Sequence, residues 1–453
     1  SGSGTVTLGG KLLTITNGST TFSGAIGGTG GQLTISGGTE TLSASSGYTG
    51  ATIISSGANL TLSGSGAIAS SSGVAANGTF DISGVTTSAS IVTLSGSGTV
   101  TLGGKLLTIT NGSTTFSGAI DGTGGQLTLS GGSLTLSGSN TYTGLTSITG
   151  GTLTLDQAGT TTGTVIADTA AITINGGTLA LNDATETVGT VTLTSGSITV
   201  GTTGNTLTGS SYVLNPSTGT THSIAAVLAG SGVTLTKSGA GTVTLTGANT
   251  YTGATTISAG TLKLGASGVI PDGSAVTVTG TLDLGGYSET VGSIAGAGTI
   301  TSSATGGLTL TAGGDGTSTT FSGTLQDGSA TSVSLVKTGS GTLTLSGPNT
   351  YSGGTTIKAG TIVAGSTAAN ALGTGTVTMG DTSGSTNASL LVSVTGLTYS
   401  NAIALATGTT GTLTLGNTGT AISTFLLAGV WPLSPILCRV KVYCCEMTPS
   451  PGS

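Results

Sequence analysis

Along most of this chain, apolar and hydroxyl-bearing residues alternate in short runs, such as Thr99-Val100-Thr101-Leu102, Leu106-Leu107-Thr108-Ile109 and Leu343-Thr344-Leu345. Alternation with a period of two, carried by Thr, Val, Ile and Leu, predicts β-strands with one buried face. Gly, Asn or Asp interrupts the runs every eight to twelve residues or so, which predicts turns. No stretch sustains a helical period, so the chain reads as all-β.

The runs also recur as larger units. Residues 1–38 reappear at 95–132 with two changes, Gly27 to Asp121 and Ile35 to Leu129. A more diverged unit occupies 133–155, 237–264 and 337–363, with Asn-Thr-Tyr cores beginning at Asn140, Asn249 and Asn349. A degraded copy lies around Gly47, Tyr48 and Thr49, and a third pattern links 178–200 with 281–301. A sandwich or closed barrel needs distinct strands and a bulky core. One short unit repeated this often predicts stacked coils, a β-solenoid in which each unit touches only its neighbours. With about 20–25 residues per coil and about 4.8 Å between coils, roughly 16–20 coils form a single elongated rod on the order of 80–100 Å long.

Composition adds detail to that expectation. Of 453 residues, 86 are Gly, 5% are charged and 3% are aromatic. Glycine is the residue of tight corners, and the scarcity of bulky side chains implies a thin aliphatic interior bound by main-chain hydrogen bonds. Collagen is excluded, since Gly has no period of three and Pro numbers 7. Net charge of −6 is too small for a charged disordered tail. Eight scattered Lys plus Arg leave no basic footprint, so no nucleic-acid partner is expected.

Candidate chemistry is sparse. His222 is the single histidine and cannot form a His-based metal cluster. Cys438, Cys444 and Cys445 lack zinc-ligand spacing, although an odd count in an exported chain permits an intermolecular disulfide. The acidic residues are dispersed (Asp81, Asp121, Asp156, Asp168, Asp183, Glu186, Asp272, Asp283, Glu289, Asp315, Asp327, Asp381 and others), mostly in Gly-rich turns that suit Asp. Coiling can bring distant carboxylates together, as a glycosidase would need. Gly313-Gly314-Asp315-Gly316 echoes a calcium-binding repeat but stands alone. Tyr142, Tyr251 and Tyr351 either form an exposed aromatic row that contacts carbohydrate or fill the same corner of each unit, and the second reading is favoured. No catalytic, cofactor-binding or metal-ligating residue is assigned, and the chain is not expected to be an enzyme.

The segments beginning at Lys237 and Lys337, with Asn249-Thr250-Tyr251 and Asn349-Thr350-Tyr351 inside them, resemble the β-strand repeats of bacterial autotransporter passengers. Residues 178–200 and 281–301 resemble the strand-turn unit that commonly precedes that repeat. The recognisable units cover most of residues 1–420. The resemblance implies a right-handed parallel β-helix exported through the outer membrane to the cell surface or beyond. No leading Met, charged region or apolar stretch of a signal peptide is present within these residues. Nor is a membrane barrel of many strands of about ten residues. The chain therefore reads as a passenger-like piece, a processed fragment or a relative with another export route, touching a membrane only through a separate translocator or its own tail.

That tail differs from the rest. Residues 1–424 follow the repeat grammar, whereas 425–453 hold Trp431, Arg439, all three Cys and four of the seven Pro. It is read as a tail of different origin, such as a frame change, or as a cap. A third reading is an apolar anchor over 421–438, which Pro432 and Pro435 interrupt. The function expected is that of a non-catalytic surface stalk, display scaffold or adhesin, with a glycan or protein ligand on a host or other cell. The alternatives are a fibre that self-associates head to tail through unpaired strand edges and a polysaccharide-active enzyme on the same fold.

Overall fold

A computed structural model of the chain describes residues 2–156, 165–182, 185–201, 204–367 and 369–418, and further on only the backbone of Thr424–Leu427, Val440–Val442 and Glu446–Pro449. No described residue is helical. Contacts divide the chain into two compact units, Ser1–Asn215 with His222–Ala229, and Pro216–Thr221 with Gly230–Ser453.

Each unit is a parallel β-solenoid, as the repeat grammar predicts. Successive strands of a sheet come from successive coils. In the first unit Leu12–Ile15, Gln32–Ile35, Thr52–Ile54, Val74–Ala76 and Leu94–Ser95 lie side by side in that order. In the second, Thr319–Phe321, Thr342–Leu345, Gly360–Ala364, Ala388–Val392 and Leu413–Asn417 do the same. Coil length varies: Ala275 pairs with Ser293, 18 residues on, and Gly360 with Ala388, 28 residues on. The longer coils take up their extra residues in loops without losing register.

Register places like above like. Val243, Leu262, Leu282, Ile300 and Leu325 form one inward column in the second unit, all buried. Phe80, Val100 and Ile120 form one in the first. Outward columns are hydroxyl-rich, as in Thr242, Thr261, Thr281, Thr299 and Thr324. Burying one apolar residue per coil at each inward position contributes roughly 1.5–3 kcal/mol apiece, while the parallel ladder satisfies the main chain.

Glycine has a second task beyond the corners. A Cβ on Gly98 would lie 2.0 Å from the Gly78 carbonyl oxygen, and one on Gly118 would lie 1.9 Å from that of Gly98. The second unit repeats this column: a Cβ on Gly323 would lie 1.9 Å from the Gly298 oxygen, and one on Gly347 1.8 Å from the Gly323 oxygen. None of these four needs a positive φ. Glycine stacks here because the main chains of adjacent coils approach too closely for any side chain.

Candidate functional site

The polar residues that define the diverged repeat point inward. Tyr48, Tyr142, Tyr251 and Tyr351 are completely buried, and each phenol oxygen lies 2.6–2.7 Å from the hydroxyl of the threonine four residues on, Thr52, Thr146, Thr255 and Thr355. In two copies the chain of hydroxyls continues, Thr52 to Ser71 and Thr255 to Ser274, both at 2.9 Å. Those serines donate to the Gly50 and Gly253 carbonyls at 2.9 Å. Burial pushes the Tyr48 phenol up to about 12 and raises Tyr142 and Tyr351 further. These tyrosines fill corners, so the exposed aromatic row is overturned.

Asn140 and Asn349 join coils in the same way. Asn140 accepts from the Ile120 N–H at 2.8 Å and donates to the Val165 carbonyl at 2.7 Å. Asn349 accepts from Leu325 N–H at 2.8 Å and donates to the Ala371 carbonyl at 2.6 Å. Asn249 donates to Val269 at 2.7 Å. Lys237 and Lys337 stand at inward strand positions, opposite Ile257 and Ile357. Their ammonium groups donate to corner carbonyls, Gly239 and Ala259 for one, Thr338, Gly339 and Ala359 for the other. Desolvation lowers both lysines, Lys237 to about 8, and the Asp315 charge partly offsets the effect at Lys337.

Two carboxylates expected in turns are instead buried capping groups. Glu186 accepts from the Val165 and Ile166 N–H groups at 2.9 and 2.6 Å. Glu289 accepts from Gly268, Val269 and Ile270 at 3.0, 3.4 and 3.1 Å. Each holds a loop of the preceding coil. Burial outweighs these bonds and pushes both carboxyls up to about 7, with Asp168 and Asp272 adding repulsion. Such pairs match the charge pattern of an acid–base dyad, but the glutamate oxygens are committed to main chain and enclosed. The alternation signals their placement: Glu186 and Val188, like Glu289 and Val291, occupy successive inward positions.

Asp315 does sit in a turn, whereas Asp81 lies beside a bulge within the strand Thr79–Val85. Asp81 accepts from Ser83 N–H at 2.8 Å, and Asp315 from Thr317 N–H at 2.9 Å, which accounts for the lone Gly-Gly-Asp-Gly echo. His222 Nδ1 accepts from the Gly196 N–H at 3.1 Å, a structural bond between coils. Among the described residues no three His, Cys, Asp or Glu side chains gather to hold a metal. Asp183, Trp431, Arg439, Cys438, Cys444 and Cys445 lie outside the described residues, as does most of the apolar stretch 421–438.

One outer-surface cluster breaks the hydroxyl pattern. The outward column Thr244, Lys263, Asp283, Thr301 carries a charge pair in its middle, with Lys263 Nζ 3.9 Å from Asp283 Oδ2. Lys263 also donates to Ser303 Oγ at 2.9 Å, and Asp283 Oδ1 accepts from the Gly285 and Ser303 N–H groups at 2.9 and 2.8 Å. Gly285 and Gly286, with φ of 60° and 93°, make a tight turn closed by the Tyr287 N–H on Leu284 at 2.9 Å. Among the described residues Tyr287 is the one exposed large aromatic, at 39%.

The passenger-associated-transport-repeat family matches residues 35–58, 129–155, 235–264 and 335–364. Each matched segment contains one or more of the inward polar residues just described, including the copy at Tyr48. Over 175 residues, 35% of this chain, the sequence is 35% identical to the adhesin BmaC autotransporter of Brucella suis biovar 1 (strain 1330). The matched span amounts to 5% of that adhesin's length. No solved structure matches the chain. The chain thus carries four copies of the passenger-associated transport repeat, each seated in a β-solenoid by its own buried polar groups.

Proposed function

We propose that this chain is a non-catalytic surface stalk and adhesin, exported and displayed outside the cell. The observation that supports this most is the direction of the repeated polar groups. Tyr, Asn and Lys of the repeat are turned inward and joined to main chain or to a buried hydroxyl. What recurs is therefore scaffold. The similarity to an autotransporter adhesin agrees, and binding to a host or other cell surface is carried over from it as part of the proposal. The test is direct: latex beads coated with the purified chain should attach to epithelial monolayers well above albumin-coated beads. Equal attachment would remove the adhesin role.

A further inference from the structure

We infer that the cluster of Lys263, Asp283, Ser303 and Tyr287 is a saccharide-binding site for a neutral pyranose ring, an inference that rests on the adhesin reading and gives it a location. In a repeat array the scaffold positions recur, and residues that depart from the repeat at one place call for another explanation. Lys263 pairs with Asp283 in the register in which Thr154 pairs with Ala180 in the earlier copy. The third copy has Val363 where this one has Lys263, and Ala184 stands where this one has Tyr287. Three departures, an exposed cation, the buried carboxylate that anchors it and an exposed aromatic ring, thus fall within one coil pair.

The geometry suits a sugar. The Gly285-Gly286 turn lies against Lys263, since a Cβ on Gly285 would be 3.4 Å from Lys263 Cε. Tyr287 follows that turn two residues after Gly285, with its side chain 39% exposed and open to a ligand on one face. Aromatic faces attract the C–H edge of a pyranose, while its hydroxyls seek fixed donors and acceptors. Lys263 retains donor capacity beyond its bond to Ser303, and the Ser303 hydroxyl can still donate. Asp283 is held by two N–H groups, so it fixes Lys263 without moving. Because the carboxylate balances the ammonium, the patch carries no net charge, which favours a neutral ring over a uronate.

The test uses the full chain and saturation-transfer NMR with the methyl glycosides of glucose, galactose, mannose and N-acetylglucosamine, and with sodium glucuronate. Transfer to at least one neutral glycoside is expected. Tyr287→Ala should weaken it about tenfold and Lys263→Thr several-fold. Both substitutions install residues the chain already uses at the equivalent places, so unchanged melting will show that the fold is intact. No transfer to any neutral glycoside, equal transfer in Tyr287→Ala, or preference for glucuronate overturns the site. Beads that still attach to cells under those outcomes leave the adhesin reading standing, whereas beads that never attach reject that reading itself.

Discussion

Residues 1–38 and 95–132 are nearly one sequence, yet their burial differs. Val100, Leu107, Ile109 and Phe116 are fully buried, whereas Val6, Leu13, Ile15 and Phe22 at the same places are half-buried. The difference lies in the neighbours. Leu106–Ile109 is flanked by Ser88–Ile91 on one side and Gln126–Leu129 on the other. Leu12–Ile15 is paired with Gln32–Ile35 alone among the described residues. In a solenoid, then, sequence selects the face that turns inward, and the adjacent coil decides how much water that face loses. The two substitutions between the copies fit the same logic. A Cβ at Gly27 would meet nothing within 4 Å, so Asp121 is accommodated, and Ile35 and Leu129 conserve volume in a buried column.

The sharpest way to break the comparison is one truncation made twice. Leu107→Ala should cost about 2–5 kcal/mol, and Leu13→Ala less than half of that, in urea unfolding followed by circular dichroism. Equal losses would show that burial by the neighbouring coil is not what matters.

Acid–base behaviour should follow burial next. Glu186 and Glu289 sit near 7 when folded, against a usual value of 4.5. The folded chain thus keeps protons that the unfolded chain releases between pH 4.5 and 7. Stability should fall as pH rises through that window, by about 3 kcal/mol per group, and then level off with respect to these groups. Melting temperatures across pH 4.5–7.5 measure it, and Glu289→Gln should remove about half of the slope. A rise in stability over the same window contradicts the assignment.

Smaller effects are expected from Tyr351→Phe, which removes one buried hydroxyl bond to Thr355 at about 1 kcal/mol. The smallest is Tyr287→Ala on the open surface, within about 0.5 kcal/mol. A larger loss there would mean that the exposed ring supports the turn and is part of the scaffold.

Much of this was legible from the pattern. Thr99–Thr101 and Leu106–Ile109 are strands with the expected face buried, and the corner role of the Asn-Thr-Tyr cores follows from spacing that prevents tyrosines from stacking. Glu186, Glu289, Lys237 and Lys337 were harder. Charge argues for the surface, and only their place in the alternation argues for the interior. The surface cluster was illegible for another reason. Lys263 and Asp283 are 20 residues apart and meet only because of the register between two coils.

The sequence by itself determined the all-β class, the stacked repeat and the identity of inward and outward positions, because a period of two and recurring breakers are local properties of the chain. Tertiary structure decided which glycines are irreplaceable, which duplicate is fully buried, and which charges become capping groups or surface neighbours. Those depend on what the next coil places about 4.8 Å away, and no single stretch of sequence contains that distance.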